Sequence, residues 1–352
     1  MRPIISVIMS VYNTPIKYLI ESIESILNQS FTDFEFLIVN DASTDENIQR
    51  LLEAYNDPRM RIIHNKINRG LTFNLNALLK LAKGQYIARM DADDISMPYR
   101  LQKQYSYMEK YKHIQILGSF AQADIGIHMF GGNMDYSMRK VKMLFYNAGI
   151  CHPSAMFRKS FLDKHLIEYD TSIMKAQDYS LWVTCLEWTN LVVFPEVLLY
   201  YREYDGQISK LMREGVGGQK EYSRIIREKQ LNSLGVTLSM DSIEDFMKLG
   251  EGNYNLTIKS FKEIYYKIIL ANKDKKLYNQ LKLKNELKLY WMKILIAHKG
   301  KGMLKEVKLT LSLASPCFMF DLFYRLMLRT KLFNRFIVAF RTQFPEFGED
   351  IS

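Results

Sequence analysis

Three carboxylates fall within four residues at Asp91-Ala92-Asp93-Asp94, directly after the apolar run Tyr86-Ile87-Ala88-Arg89-Met90. Such a cluster repels itself unless a cation occupies it. Mg²⁺ and Mn²⁺ take oxygen ligands and bridge one or two carboxylates to a diphosphate, a task that suits an aspartate pair spaced two apart. A solvated acidic turn is the plain alternative, so the surroundings have to decide. A second acid, Asp178, opens the amphipathic stretch Ala176-Gln177-Asp178-Tyr179-Ser180-Leu181-Trp182. There a carboxylate is favoured by the helix dipole whether or not it does chemistry.

The elements around these acids alternate. Residues 4–10 are rich in β-branched side chains and read as a strand. Thr14-Pro15 then supplies an N-cap with proline at the first helical position, opening a periodic stretch through Leu19, Ile23, Ile26 and Leu27. The pattern repeats as strand 34–39, a helix capped by Ser43 or Thr44, strand 60–64, helix 71–81 and strand 86–90. Short apolar strands separated by helices predict a parallel, helix-covered sheet. In such sheets ligands bind beyond the carboxyl ends of the strands, which sets Tyr12-Asn13, Asn40-Asp41 and the Asp91 cluster side by side. An acid after the second strand can accept from a base N–H or a ribose hydroxyl, while the later cluster suits a metal and a diphosphate. Neither G-x-G-x-x-G nor a P-loop follows the first strand, which disfavours dinucleotide and P-loop phosphate binding. Further on, 98–112 reads as a helix, 114–119 and 155–157 as strands, and 158–165 as a helix.

At 352 residues and 48% apolar composition, the chain can bury a sizeable core. The net charge of +10 is uneven: residues 281–345 hold 13 Lys and Arg against 3 acidic residues, and the rest is balanced. A neutral body with a basic tail argues against a nucleic-acid enzyme and for one held near an anionic surface. Cys151, Cys185 and Cys317 form no C-x-x-C pair and are odd in number, which fits a reducing cytoplasm without disulfides or zinc. No secretion signal is read at the N-terminus. The longest apolar run, 309–324, contains Pro316 and Asp321 and is shorter than the roughly 20 residues that cross a bilayer.

Taken in order, Ser6-Val7-Ile8-Met9-Ser10-Val11-Tyr12-Asn13, Val39-Asn40-Asp41-Ala42-Ser43-Thr44-Asp45, Asn68-Arg69-Gly70 with Asn74 and Asn76, the Asp91 cluster, His152-Pro153-Ser154 and Gln177-Asp178-Tyr179-Ser180-Leu181-Trp182 resemble the family 2 glycosyltransferases. The resemblance covers about residues 3–210. It implies an α/β GT-A fold, Rossmann-like with a mainly parallel sheet, followed by a helical C-terminal appendage. With the changes of pattern along the chain, a catalytic domain is expected at 1–213, with a nucleotide half at about 1–97 and an acceptor half at about 98–213, and a basic helical region at 214–352. Tyr12 and Asp41 would contact base and ribose, with Asn13 in the same loop. Asp91 would lie near the ribose, Asp93 would hold Mn²⁺ or Mg²⁺, and Asp178 would be the general base of an inverting transfer. Arg69 is set to reach a phosphate or to form a surface salt bridge.

Two positions depart from the family pattern: Gln177 stands where Glu is usual, and Arg202-Glu203-Tyr204 stands where many relatives carry Arg-x-His. His152 reads as structural, with an acceptor pocket as its other use, and Trp182 and Trp188 read as core. The expected donor is a nucleotide sugar, UDP-linked, and the expected acceptor a glycan or lipid-linked glycan. The other classes compatible with parts of the pattern are a sugar-phosphate nucleotidyltransferase and a non-catalytic glycan or nucleic-acid binder. From about residue 214 helical patterns take over. Phe333, Phe336, Ile337 and Phe340 make an apolar stripe opposite basic residues, as in helices that lie on anionic lipid. The expected location is the cytoplasm, peripheral on the inner face of the cell membrane.

Overall fold

The computed structural model of the chain describes residues 2–123, 126–128, 132, 134–204 and 218–297. Two compact units are present, Met1–Thr237 with Leu270–Asn279, and Leu238–Ile269 with Gln280–Ser352. The boundary expected at 213 and the stripe around Phe336 both lie outside the described residues.

In the first unit the expected alternation appears as β1 (Ile5–Val11), α1 (Ile16–Leu27), β2 (Phe34–Asn40), α2 (Glu46–Ala54), β3 (Met60–His64), α3 (Leu71–Leu81) and β4 (Tyr86–Asp91). Then follow β5 (Ile95–Ser96), α4 (Arg100–Lys110), β6 (Ile116–Ala123), β7 (Gly126–His128), α5 (Tyr136–Met143), β8 (Met156–Arg158), α6 (Lys159–His165), α7 (Gln177–Cys185), β9 (Leu191–Tyr200) and α8 (Gln219–Leu234). The strands form one sheet in the order β3-β2-β1-β4-β8-β6-β9-β5, with β7 on β6. β3, β2, β1 and β4 run parallel, and β8 runs antiparallel to both β4 and β6. This is the mixed, mainly parallel sheet of an α/β GT-A fold, with helices following it.

Period-two alternation sorts the strand residues between two cores. Ile8, Leu37 and Ile87 join Leu75, Leu78, Tyr179 and Trp182 on one face of the sheet. Val7, Met9, Phe36, Ile38 and Met90 join Leu19, Ile23, Leu52 and Leu101 on the other. Each fully buried Ile, Leu or Phe contributes about 1.5–3 kcal/mol, so a one-residue slip would exchange the two cores and is strongly disfavoured. Register also levels the strand ends: Val11 lies beside Asn40 and Ser10 beside Asp91.

Two caps differ from expectation. Pro15, not Thr14, is the N-cap of α1 and makes no side-chain cap bond. α2 is capped by Asp45, whose carboxylate accepts from Asn47 N at 2.9 Å. Ser43 and Thr44 are drawn away from that role because they bind Asn13: Asn13 N donates to Ser43 Oγ at 3.1 Å, and Thr44 N donates to Asn13 Oδ1 at 2.8 Å. The second unit holds α9 (Met240–Gly250), the first part of α10 (Ile258–Lys275) and α11 (Gln280–Ala297). Phe261 stacks on Trp291 there at 5.5 Å, and Glu263 accepts from Ser239 Oγ and Ser242 Oγ. No helix of the described residues is long and apolar enough to cross a membrane.

Candidate active site

The level strand ends bring three loops together. In the first, Asn13 adopts a left-handed conformation (φ 50°), as does Ala42 (φ 57°) in the second, and the Ser43 and Thr44 bonds tie the two loops. Tyr12 is left half-exposed beside them. Asp41 is buried and committed: Oδ1 accepts from Arg69 N and Asn65 Nδ2, and Oδ2 from Gly70 N, at 2.7–2.8 Å. A carboxylate offers about four lone-pair positions, so Asp41 braces the turn before α3 and keeps room for about one further donor. Gly70 needs its left-handed φ of 83° to make that turn. Arg69 points its guanidinium over the ring of Phe73, at 4.7 Å.

Carboxylate oxygens of Asp91, Asp93 and Asp94 lie within 4.8 Å of one another at the end of β4. Burial, then the charge of Asp91, pushes the Asp93 carboxyl up to about 6. Burial, then Asp91 and Asp93, carries Asp94 well above the aspartate range. Asp94 is fully buried, accepts from Arg202 N at 3.0 Å, and has no partner for Oδ2. An all-oxygen cluster under mutual repulsion, with one orphaned oxygen, fits a hard divalent cation. The segment after β9 grips the same loop. Arg202 Nε donates to Asp93 O at 2.8 Å, its guanidinium lies 4.2 Å over Tyr18 and pairs with Glu21, and Tyr204 donates to Asp93 Oδ2 at 3.1 Å.

Alternation along β4 puts Arg89 and Asp91 on the face of Ile87, the side covered by α7. Arg89 is buried and ion-paired with Asp91, and its Nε and Nη1 have no partner. Burial opposes its charge, but Asp91, with smaller help from Tyr169 and Asp94, keeps its proton affinity above the ordinary arginine value. The field of Arg89 also reaches Asp178 and His152, and Tyr169 feels both Asp91 and Asp178. The acids separated by 87 positions in sequence therefore share one neighbourhood.

Asp178 stands in the first turn of α7, part-buried, behind the left-handed Ala176 (φ 59°). Burial pushes its carboxyl up, and a hydrogen bond from Asn147 at 2.9 Å draws it partly back. The loop before α7 is pinned to α3: Asn76 exchanges two bonds with the backbone of Tyr169, at 2.8 and 2.9 Å.

His152 is buried, bonded to the Tyr169 hydroxyl at 2.7 Å, and kept neutral by burial and by Arg89. Trp182 is wholly buried, stacked on Phe157 at 5.9 Å. Trp188 is a correction to the sequence reading: it is 57% exposed and lies against His165. It follows the end of α7, so helical spacing no longer governs it. Cys151 and Cys185 are buried and free. A cavity lined by Lys140, Asp170, Thr184 and Lys229 contains none of the candidate acids.

Arg89 and Asn147 were given no role in the sequence reading, and Asp94 entered it only as a member of the acidic cluster. A charge inside an apolar strand was the available signal for Arg89. Nothing in the text links Asn147 to an aspartate 31 residues away.

The structure is thus a mixed GT-A sheet with a cluster of acids at the carboxyl edge of its parallel strands. Residues 6–166 match the profile of glycosyl transferase family 2. An uncharacterised glycosyltransferase of Methanocaldococcus jannaschii is 35% identical over 222 residues, covering 60% of this chain and 76% of that protein. WbnJ, an O-antigen biosynthesis glycosyltransferase of Escherichia coli, is 33% identical over 222 residues, covering 58% and 82%. Among solved structures, S. aureus TarS in complex with UDP-GlcNAc aligns with a TM-score of 0.51 over 82% of this chain and 88% of that one, at 18% identity, a likeness of fold. The chain belongs to the family 2 glycosyltransferases.

Proposed function

We propose that this glycosyltransferase moves a single sugar from a UDP-linked donor to a hydroxyl of a glycan or lipid-linked glycan in surface-polysaccharide synthesis, inverting the anomeric centre. The observation that carries this reading is the pairing of Asp178 with the Asp91–Asp93–Asp94 cluster around the shared neighbours Arg89 and Tyr169. A polysaccharide role is supported by the relative in O-antigen biosynthesis.

In this reading Tyr12, Asn13 and Asp41 frame the nucleoside, with Arg69 at the rim. Asp91 lies near the ribose, and Asp93, with Asp94 beside it, would hold Mg²⁺ or Mn²⁺. When bound, such a cation supplies Lewis-acid stabilisation of the departing nucleoside diphosphate. Asp178 accepts the proton of the attacking hydroxyl, a step worth about 10²- to 10⁴-fold in rate. Its burial raises its proton affinity, which suits a base that must compete for that proton. A single displacement inverts, so an α-linked donor gives a β-glycoside. A nucleotidyltransferase is the poorer reading, because Tyr12-Asn13-Thr14 offers no glycine-rich phosphate loop after β1.

Isothermal calorimetry with UDP-GlcNAc, UDP-glucose and GDP-mannose, each with Mg²⁺ or Mn²⁺, tests the donor. Cation-dependent binding of a UDP-sugar is expected; binding of none of them with either ion sinks the reading. Membrane attachment through the basic residues of 281–345 would bring the enzyme to a lipid-linked acceptor. Flotation with anionic vesicles, with and without 281–352, checks this, and equal recovery of both chains ends it.

A further inference from the structure

Asn147 meets Asp178 through one contact, Nδ2 donating to Oδ2 at 2.9 Å. The orientation of the Asn147 amide is fixed, because Gly149 N donates to Asn147 Oδ1 at 3.0 Å and so leaves Nδ2 as the atom on the carboxylate. Gly149 reaches that position only for want of a side chain. A Cβ there would stand 2.0 Å from Trp182 Cδ1, 2.5 Å from Trp182 Nε1 and 2.8 Å from Asn147 Oδ1. Trp182 is wholly buried one turn along α7 from Asp178. Turn and helix are thus keyed together, the indole behind and the amide in front.

We propose that Asn147 is the positioning residue of Asp178, its neutral amide tying up one carboxylate oxygen so that the remaining lone pairs are offered to the acceptor in a single orientation. The proposal rests on Asp178 being the base. An amide is the fitting partner for that job. A Lys or Arg at 147 would hold Asp178 ionised but strip it of proton affinity, whereas an unaided buried carboxylate would sit protonated more of the time. The other groups facing Asp178 are the Arg89 guanidinium on β4, the Tyr169 phenol on the loop before α7, and the backbone amides of Tyr179 and of Asp178 itself. His152, bonded to Tyr169, is neutral and adds no charge.

The test reads the carboxylate itself and sets turnover beside it. The full chain, labelled with ¹³C at the aspartate carboxyl, is titrated by infrared spectroscopy, and for the parent and each Asn147 variant the spectrum of the same chain with Asp178→Asn added is subtracted to bring out the Asp178 band. Losing a hydrogen bond to a charged group moves a carboxyl by about one pH unit. Asn147→Ala is expected to raise the midpoint by about that much. Asn147→Asp, which keeps the shape and the Gly149 bond but replaces the donor with a like charge, should raise it further. A like charge raises a neighbouring carboxyl whatever the role of Asn147, so a raised midpoint in both variants with turnover at the parent level overturns the proposal. So does an unmoved midpoint in both variants. Thermal melts within a few degrees of the parent confirm that both are folded; should the alanine variant melt early, the isosteric variant alone decides. Turnover retained by Asp178→Asn would sink the base assignment and leave the Asn147 coupling to be read separately in the infrared.

Discussion

The acids on the two sides of this site are held in opposite ways. At the end of β4 three carboxylates crowd within 4.8 Å, burial and the neighbouring charges raise the proton affinity of Asp93 and Asp94, and Asp94 Oδ2 is left without a partner. At the start of α7 a single carboxylate, Asp178, stands apart, raised by burial and steadied by a neutral amide. The first arrangement is electrostatically incomplete by itself and gains from a cation. The second is complete without one. One side therefore stores its chemistry in a binding event, the other in fixed geometry.

The comparison breaks most sharply at Asp178. Asp178→Asn should lower turnover by about 10²- to 10⁴-fold while leaving donor and cation binding intact by calorimetry; a parallel loss of both would mean the two sides are not separate devices. Asp93→Asn should do the reverse. Its cation affinity should fall by at least the roughly 10- to 100-fold seen when a group that merely orients a metal ligand is lost, with the infrared band of Asp178 unmoved. The pH profile sharpens the contrast further. If Asp178 is the base it acts ionised, and since burial has raised its carboxyl, turnover at saturating cation should fall away on acidification at a pH above the ordinary aspartate range. A limb at or below that range would show Asp178 to be solvated during turnover.

Gly149→Ala tests the fixed geometry from behind. A Cβ facing Trp182 at 2.0 Å overpacks the core, a defect of about 1–3 kcal/mol that should lower the melting temperature and turnover together. Smallest of all, Tyr204→Phe removes one hydrogen bond from Asp93 Oδ2. The change is worth about 0.5–1.5 kcal/mol and should tighten cation binding a few-fold, since the phenol competes for a lone pair the ion can use. Weaker cation binding in that variant would instead make Tyr204 a support of the site.

The strands that build the donor side were legible because they are buried on both faces and spell continuous apolar runs, as in Ile5–Val11 and Phe34–Asn40. β9 was not, since Pro195 and Glu196 interrupt it where its register on β6 shifts. α5 carries three basic residues, Arg139, Lys140 and Lys142, and only tertiary contacts bury Arg139, Val141 and Lys142 within it. Ser43 and Thr44 show the same limit at small scale. Both are good helix caps by composition, and both are spent on Asn13 instead.

By itself the sequence determined the fold class, the placing of acids at strand ends and helix starts, and the family resemblance, because these follow from short-range periodicity and from motifs that each lie within about ten residues. Only the tertiary structure decided that Arg89 and Tyr169 feel both sets of acids, that Asp94 is buried with an oxygen unpaired and its loop bonded to Arg202, and that Asn147 bonds Asp178. Those are contacts across 31 to 109 positions of chain. Their energies depend on burial and distance in space, which the order of residues does not state.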